Sequence, residues 1–82
     1  MTHDRISIDP AVMLGKPCII GTRITVEHIL RQLAGGMAAV EIVRGHPRLK
    51  AEDILAAQAY AADVLAMPSV RSQLAAENAP AG

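Results

Sequence analysis

Two glycine-containing turns near the N-terminus have the residue types that could cradle a phosphate. The sequence reads Gly15-Lys16-Pro17 and, after three apolar residues, Gly21-Thr22-Arg23. A nucleotide-binding phosphate loop needs a hydroxyl residue directly after its lysine and a further glycine five residues before the glycine-lysine pair. This chain has Pro17 and Pro10 at those two positions. We therefore interpret both motifs as tight turns on either side of a strand.

The residues that could act as nucleophiles or metal ligands form no recognisable set. Cys18 is the single cysteine and has no basic neighbour to lower its pKa, so we expect a buried small hydrophobic residue. His3, His28 and His46 are too widely spaced along the chain to predict a metal site. We therefore expect a protein that binds partners and is not an enzyme, with neither a metal nor a cofactor.

Cations are concentrated in the first part of a chain whose formal net charge is zero. Residues 1–50 carry seven basic and four acidic side chains, whereas residues 51–82 carry one basic and four acidic side chains. The asymmetry predicts a basic face, and ordinary scattered surface charge remains the alternative. Basic residues that could contact DNA phosphates are Arg23, Arg31, Arg44, Arg48 and Lys50. For Arg23, an internal ion pair with Asp9 or Glu27 is an equally good interpretation.

The elements that must position these residues begin with short strands. Ile6-Ser7-Ile8 alternates as a half-buried strand does, and Cys18-Ile19-Ile20 is a short apolar run. Because two such strands alone are barely stable in water, we predict a β element over 5–25 that pairs within one chain or across a homodimer. The predicted dimer interface consists of Ile6, Ile8, Cys18, Ile19 and Ile20.

Three helices are predicted over residues 26–67. The first begins after a Thr25 cap and ends at Gly35-Gly36. The second runs from about Ala38 to Arg44 with Val40 and Val43 inward, and the third begins near Ala51 with Ile54 inward. This arrangement predicts a mainly α fold, a three-helix helix-turn-helix core with short N-terminal β strands, while a plain three-helix bundle without a DNA role is the alternative.

Length and composition indicate one domain over 1–67 and a C-terminal tail over 68–82. Half of the residues are apolar but Tyr60 is the sole aromatic, and no apolar run is long enough to span a membrane. The N-terminal residues contain no apolar segment of the kind that a signal peptide needs. We therefore expect a cytoplasmic protein.

The stretch ISIDPAVMLGKPCIIGTRITVEHILRQLAGG, continued by EIVRGHPRLKAEDILAAQAYA, resembles the domain of unknown function 433 family. The two glycine motifs at this spacing, followed by a helix ending in glycine, carry the resemblance. It implies a homeodomain-like fold, usually dimeric, and a role as the antitoxin of a VapBC-like pair beside a PIN-like nuclease toxin. Two positions depart from the family pattern: Ala38 and Lys50 replace the Ser or Thr that usually opens the second and third helices.

If the chain is an antitoxin, the tail is the leading candidate for contact with the toxin. Val70 and Leu74 are four residues apart, so a helical turn would place them on one face beside Arg71. An arginine suits the carboxylates that hold Mg²⁺ in a PIN-like nuclease. The alternative is a disordered tail with one isolated charge. A dimeric interaction module without a DNA role is the other function that the sequence allows.

Overall fold

A computed structural model describes residues 3–69 of the 82-residue chain. Two strands, β1 (Ile6–Ser7) and β2 (Cys18–Ile19), precede three helices: α1 (Val26–Ala34), α2 (Ala39–Gly45) and α3 (Ala51–Leu65). The prediction of a mainly α fold with short N-terminal strands is confirmed. The predicted toxin contacts Val70, Arg71 and Leu74 lie outside the described residues.

The two strands pair with each other within one chain. They are antiparallel, with Ile6 opposite Ile19 and Ser7 opposite Cys18. Cys18 and Ile19 are almost fully buried, which confirms the interpretation of Cys18 as a small core residue. Ile20, which also belongs to the predicted dimer interface, is 57% exposed. The chain's own core thus encloses two of the predicted dimer residues, and Ile20 could be covered only by something outside residues 3–69.

Helix α1 begins and ends at the residues that the sequence predicts. The Thr25 hydroxyl accepts a hydrogen bond from the backbone N–H of His28 at 3.0 Å, which satisfies one of the free N–H groups at the start of the helix. At its other end the chain turns at Gly36, whose φ of +100° is readily adopted only by glycine. The position of α1, on which the site below depends, is therefore set by local sequence.

Helix α2 has a different buried face from the one predicted. Ile42 is fully buried and Val40 is 60% exposed, so the expectation that Val40 and Val43 both point inward is wrong for Val40. The helix has only seven residues, and its three β-branched residues allow more than one inward face. Turning Ile42 inward buries the largest of the three side chains.

The two helices that lack a Ser or Thr cap are stabilised at their third residue instead. The Glu41 carboxylate accepts a hydrogen bond from the backbone N–H of Ala38 at 2.9 Å, and Asp53 does the same for Lys50 at 2.9 Å. These are the reciprocal halves of capping boxes, and they do not need a side-chain oxygen on the first residue. They offset part of the loss that Ala38 and Lys50 were expected to cause.

All three helices and β2 contribute to one hydrophobic core, whose buried members are Ile19, Val26, Ile29, Ile42, Leu49, Ile54 and Ala57. The prediction that Ile54 points inward is confirmed, since it is 2% exposed. Among residues 3–69, no helix has the length and apolar character needed to cross a membrane.

Candidate functional site

A surface depression at the N-terminal end of α1 brings together basic side chains from three segments of the chain. We call it the basic depression; it has a volume of about 440 Å³ and is lined by Met13, Lys16, Arg23, Ile24, Thr25, Glu27, His28, Arg31 and His46. Lys16 precedes β2, Arg23 lies in the turn before α1, and His46 follows α2. Tertiary packing of separate segments, and not a local sequence motif, therefore creates this surface.

Glu27 is the one carboxylate in the basic depression, and it binds two of its cations. Its two carboxylate oxygens accept hydrogen bonds from Lys16 Nζ at 3.2 Å and from Arg31 Nε at 3.1 Å. The hydrogen bonds from Lys16 and then from Arg31 lower the pKa of Glu27. Glu27 is therefore ionised at neutral pH and forms ion pairs with both cations.

Two histidines that are far apart in sequence meet in the basic depression. The rings of His28 and His46 lie edge to face, with centroids 5.6 Å apart. His3 lies elsewhere, hydrogen-bonded through Nε2 to Asp63 at 2.9 Å and stacked edge to face on Tyr60. Within the part of the chain that the structure describes, no group of three or more His, Cys, Asp or Glu side chains could hold a metal ion.

A second depression adjoins the first and shares Arg23 with it. It has a volume of about 500 Å³ and is lined by Ser7, Asp9, Val12, Ile20, Gly21, Thr22, Arg23 and Arg48. Arg48 Nη1 donates a hydrogen bond to the carbonyl of Gly21 at 3.2 Å, which holds the side chain against the turn before α1. Arg23 makes no ion pair with any residue in 3–69, so the predicted pairing with Asp9 or Glu27 is absent there.

The fold places the five predicted DNA-binding residues on different parts of the surface. Arg23, Arg31 and Arg48 line the two depressions, whereas Arg44 and Lys50 line neither. Lys16 and His28 were not predicted as part of the same surface. For His28 a local signal existed, because its spacing from Arg31 places the two on neighbouring positions of one helix face. Lys16 and His46 come from other segments, and only the tertiary structure places them there.

Helix α3 carries no lysine or arginine along its fifteen residues. Its first turn contains Glu52 and Asp53, and Asp53 is 4% exposed. Asp53 accepts the backbone N–H of Lys50 with one oxygen and Arg5 Nη1 with the other, at 3.0 Å. Asp53 thus ties the chain before β1 to the start of α3, a role that the sequence did not predict.

An apolar groove lies between α1 and α3 and adjoins the basic depression, with which it shares Glu27 and Arg31. It has a volume of about 500 Å³ and is lined by Pro17, Val26, Glu27, Leu30, Arg31, Ala34, Tyr60, Ala61, Val64 and Leu65. Leu65 is 51% exposed and Leu55, also on α3, is 67% exposed. Leu55 does not line the groove, whereas Leu65 lies at its edge, and an apolar groove of this kind suits contact with another molecule.

The family described as "Protein of unknown function (DUF433)" matches residues 6–61 of this sequence. The chain belongs to the DUF433 family. Comparisons with curated proteins and with solved structures find no match.

The DUF433 match runs from the first residue of β1 almost to the end of α3. It includes every residue that lines the basic depression and both glycine motifs. It stops before Val64 and Leu65, which complete the apolar groove. The basic depression is therefore built wholly within the DUF433 region, and the apolar groove extends past it.

Proposed function

We propose that this chain is the antitoxin of a type II toxin–antitoxin pair. It binds and inhibits a PIN-like nuclease toxin, and repression of its own promoter through DNA binding is a second, separable activity. The proposal starts from the implication of the family resemblance, and the observation that carries it is the apolar groove between α1 and α3. Residues 3–69 leave this groove uncovered, with Leu65 exposed at its edge, and an apolar groove of this kind suits contact with another protein.

The proposed inhibition has two candidate surfaces. One is the tail, in which Val70, Arg71 and Leu74 would contact the toxin and Arg71 would face its metal-binding carboxylates. The other is the helical body with its apolar groove. In both cases the chain silences the nuclease by covering it, and no chemical step by the antitoxin is needed.

The proposed DNA binding is supported by the cations of the two depressions. Lys16, Arg23 and Arg31 are exposed around the first depression, and Arg48 lies in the second. Surfaces of this charge attract phosphates without regard to base sequence.

A dimeric interaction module without a DNA role is the alternative. It is favoured by two exposed isoleucines that directly follow the two strands. Ile8, after β1, is 60% exposed, and Ile20, after β2, is 57% exposed. Because Ile20 is not part of the single chain's core, Ile20→Asp should convert a dimer into a folded monomer in light scattering.

Growth rescue tests the antitoxin proposal. A nuclease gene beside the gene of this chain is expressed alone and together with the chain, and growth is followed. The antitoxin proposal expects arrest with the nuclease alone and recovery with both. Recovery must be matched by a stable complex of the two purified proteins, because lowered nuclease expression could also restore growth. A nuclease that arrests growth equally in both cases would refute the proposal.

A further inference from the structure

We propose that the DNA phosphate backbone is bound by the basic depression at the N-terminal end of α1 and not by α3. The inference rests on the DNA-binding part of the proposed function and says which surface performs it. In a helix-turn-helix protein the last helix of the motif enters the major groove. Here that helix would be α3, whose fifteen residues contain no lysine or arginine. Its first turn exposes Glu52, while Asp53 is buried and paired with Arg5, so this helix offers a phosphate no cation.

The charge balance of the basic depression favours an anion. Lys16, Arg23 and Arg31 contribute three positive charges against the one negative charge of Glu27, and two imidazoles lie among them. A divalent cation between the two histidines would have these three cations as neighbours, so electrostatics also disfavours a metal there.

Glu27 leaves the cations able to bind a phosphate. It takes one N–H of Arg31, at Nε, and one N–H of Lys16. A guanidinium has five N–H donors and an ammonium has three, so each cation retains donors for a second acceptor. Glu27 therefore pairs with two of the cations without neutralising the depression.

Arg23 extends the basic depression toward Arg48. It lines both depressions, and Arg48 is held beside it by the hydrogen bond to the Gly21 carbonyl. Cations thus follow one another from Arg31 through Arg23 to Arg48 across adjoining hollows. A continuous row of cations suits a strand of successive phosphates, whereas a single bound anion would need only one of these hollows.

The experiment compares two double variants that each remove two positive charges. In one, Arg23→Gln and Arg31→Gln remove two of the positive charges that line the basic depression. In the other, Arg44→Gln and Lys50→Gln remove two exposed cations that line neither depression. Affinity for a promoter duplex and for a scrambled duplex of the same length is measured by fluorescence anisotropy over a range of salt concentrations. Thermal melting confirms that both variants fold.

The first double variant should weaken binding to both duplexes and reduce the slope of log affinity against log salt by about 1.8, since each lost phosphate contact removes roughly 0.9. The second should bind like the parent. A reduced salt slope for the second variant, or an equal loss of duplex affinity in both variants, would overturn the inference. DNA binding itself would then still stand. If one double variant fails to fold, Arg23→Gln against Arg44→Gln makes the same comparison with one contact.

A parent chain that shows no salt-dependent binding to either duplex overturns both this inference and the DNA-binding part of the proposed function. The antitoxin part is judged separately by growth rescue, which does not depend on DNA. The failure of one proposal is thereby distinguishable from the failure of the other.

Discussion

At the scale of single residues, Asp53 joins two segments of the chain that are far apart in sequence. It is 4% exposed, and its two oxygens accept one hydrogen bond from the Lys50 backbone and one from Arg5. The first bond caps α3, and the second holds the segment before β1 against the same helix. Sequence alone suggested only a favourable charge near the start of α3, because the contact with Arg5 spans 48 positions.

Replacing Asp53 should therefore destabilise the domain more than replacing its neighbour. Asp53→Ala removes two hydrogen bonds that involve a charged group, and we expect a loss of about 2–3 kcal/mol in the free energy of unfolding. In a domain of this size that lowers the melting temperature by roughly 10 °C or more. Glu52→Ala removes an exposed acid from the same turn and should change stability by less than about 0.5 kcal/mol. Similar melting curves for the two variants would contradict this role for Asp53.

Glu27 should make stability depend on pH in the acid range. Its pKa is lowered in the folded chain by Lys16 and Arg31, so its ionised form favours folding. This contribution is complete above the unfolded pKa, whose reference value is 4.5, and is lost as the pH falls through the folded pKa. We expect the parent to have a higher melting temperature than Glu27→Gln at pH 7, and we expect this difference in melting temperature to shrink at pH 3. A difference that stays constant with pH would mean that the two ion pairs add no stability.

At the scale of elements, the sequence predicted the long helices well and the short one poorly. Helix α1 has a threonine cap, a glycine stop and a clear apolar face, so its bounds and its buried residues agree with the prediction. Helix α2 has seven residues, which is too few for periodicity to select one face. Its orientation is set by packing against α1 and α3, which no local pattern contains.

The buried face of α2 can be tested with two alanine substitutions, one at a buried position and one at an exposed position. Ile42→Ala should lower the free energy of unfolding by about 2–5 kcal/mol, because it leaves a cavity in a core to which three helices contribute. Val40→Ala, at a position that is 60% exposed, should cost well under 1 kcal/mol. Chemical denaturation at equilibrium measures both values. A larger loss in the free energy of unfolding for Val40→Ala than for Ile42→Ala would contradict this orientation and support the predicted one, in which Val40 points inward.

At the scale of the whole molecule, the sequence predicted which residues are basic but not which of them meet. Arg23, Arg31 and Arg48 were grouped with Arg44 and Lys50 as basic residues that could contact DNA phosphates. Only the fold separates them, since it brings Lys16 and His46 to α1 from segments before β2 and after α2. Contacts between distant segments arise from packing, and one sequence gives no direct signal of them.

The predicted division into a domain over 1–67 and a tail over 68–82 suggests an experiment that locates the inhibitory surface. Among residues 3–69, the buried core residues all lie between Ile19 and Ala57, and deleting residues 70–82 removes none of them. The truncated chain should therefore keep its helical circular dichroism and cooperative melting. If Val70, Arg71 and Leu74 contact the toxin, the same deletion should abolish growth rescue.

Arg71→Glu in the full chain separates the charge from the rest of the tail. A PIN-like nuclease concentrates carboxylates around its metal ions, so reversing the only cation in residues 51–82 should repel the toxin and impair rescue. Arg44→Glu makes the same charge change on the body and should leave rescue unaffected. Full rescue by the truncated chain would instead place inhibition on the body. The apolar groove between α1 and α3 would then be the surface to test, with Leu65→Glu at its exposed edge as the first substitution.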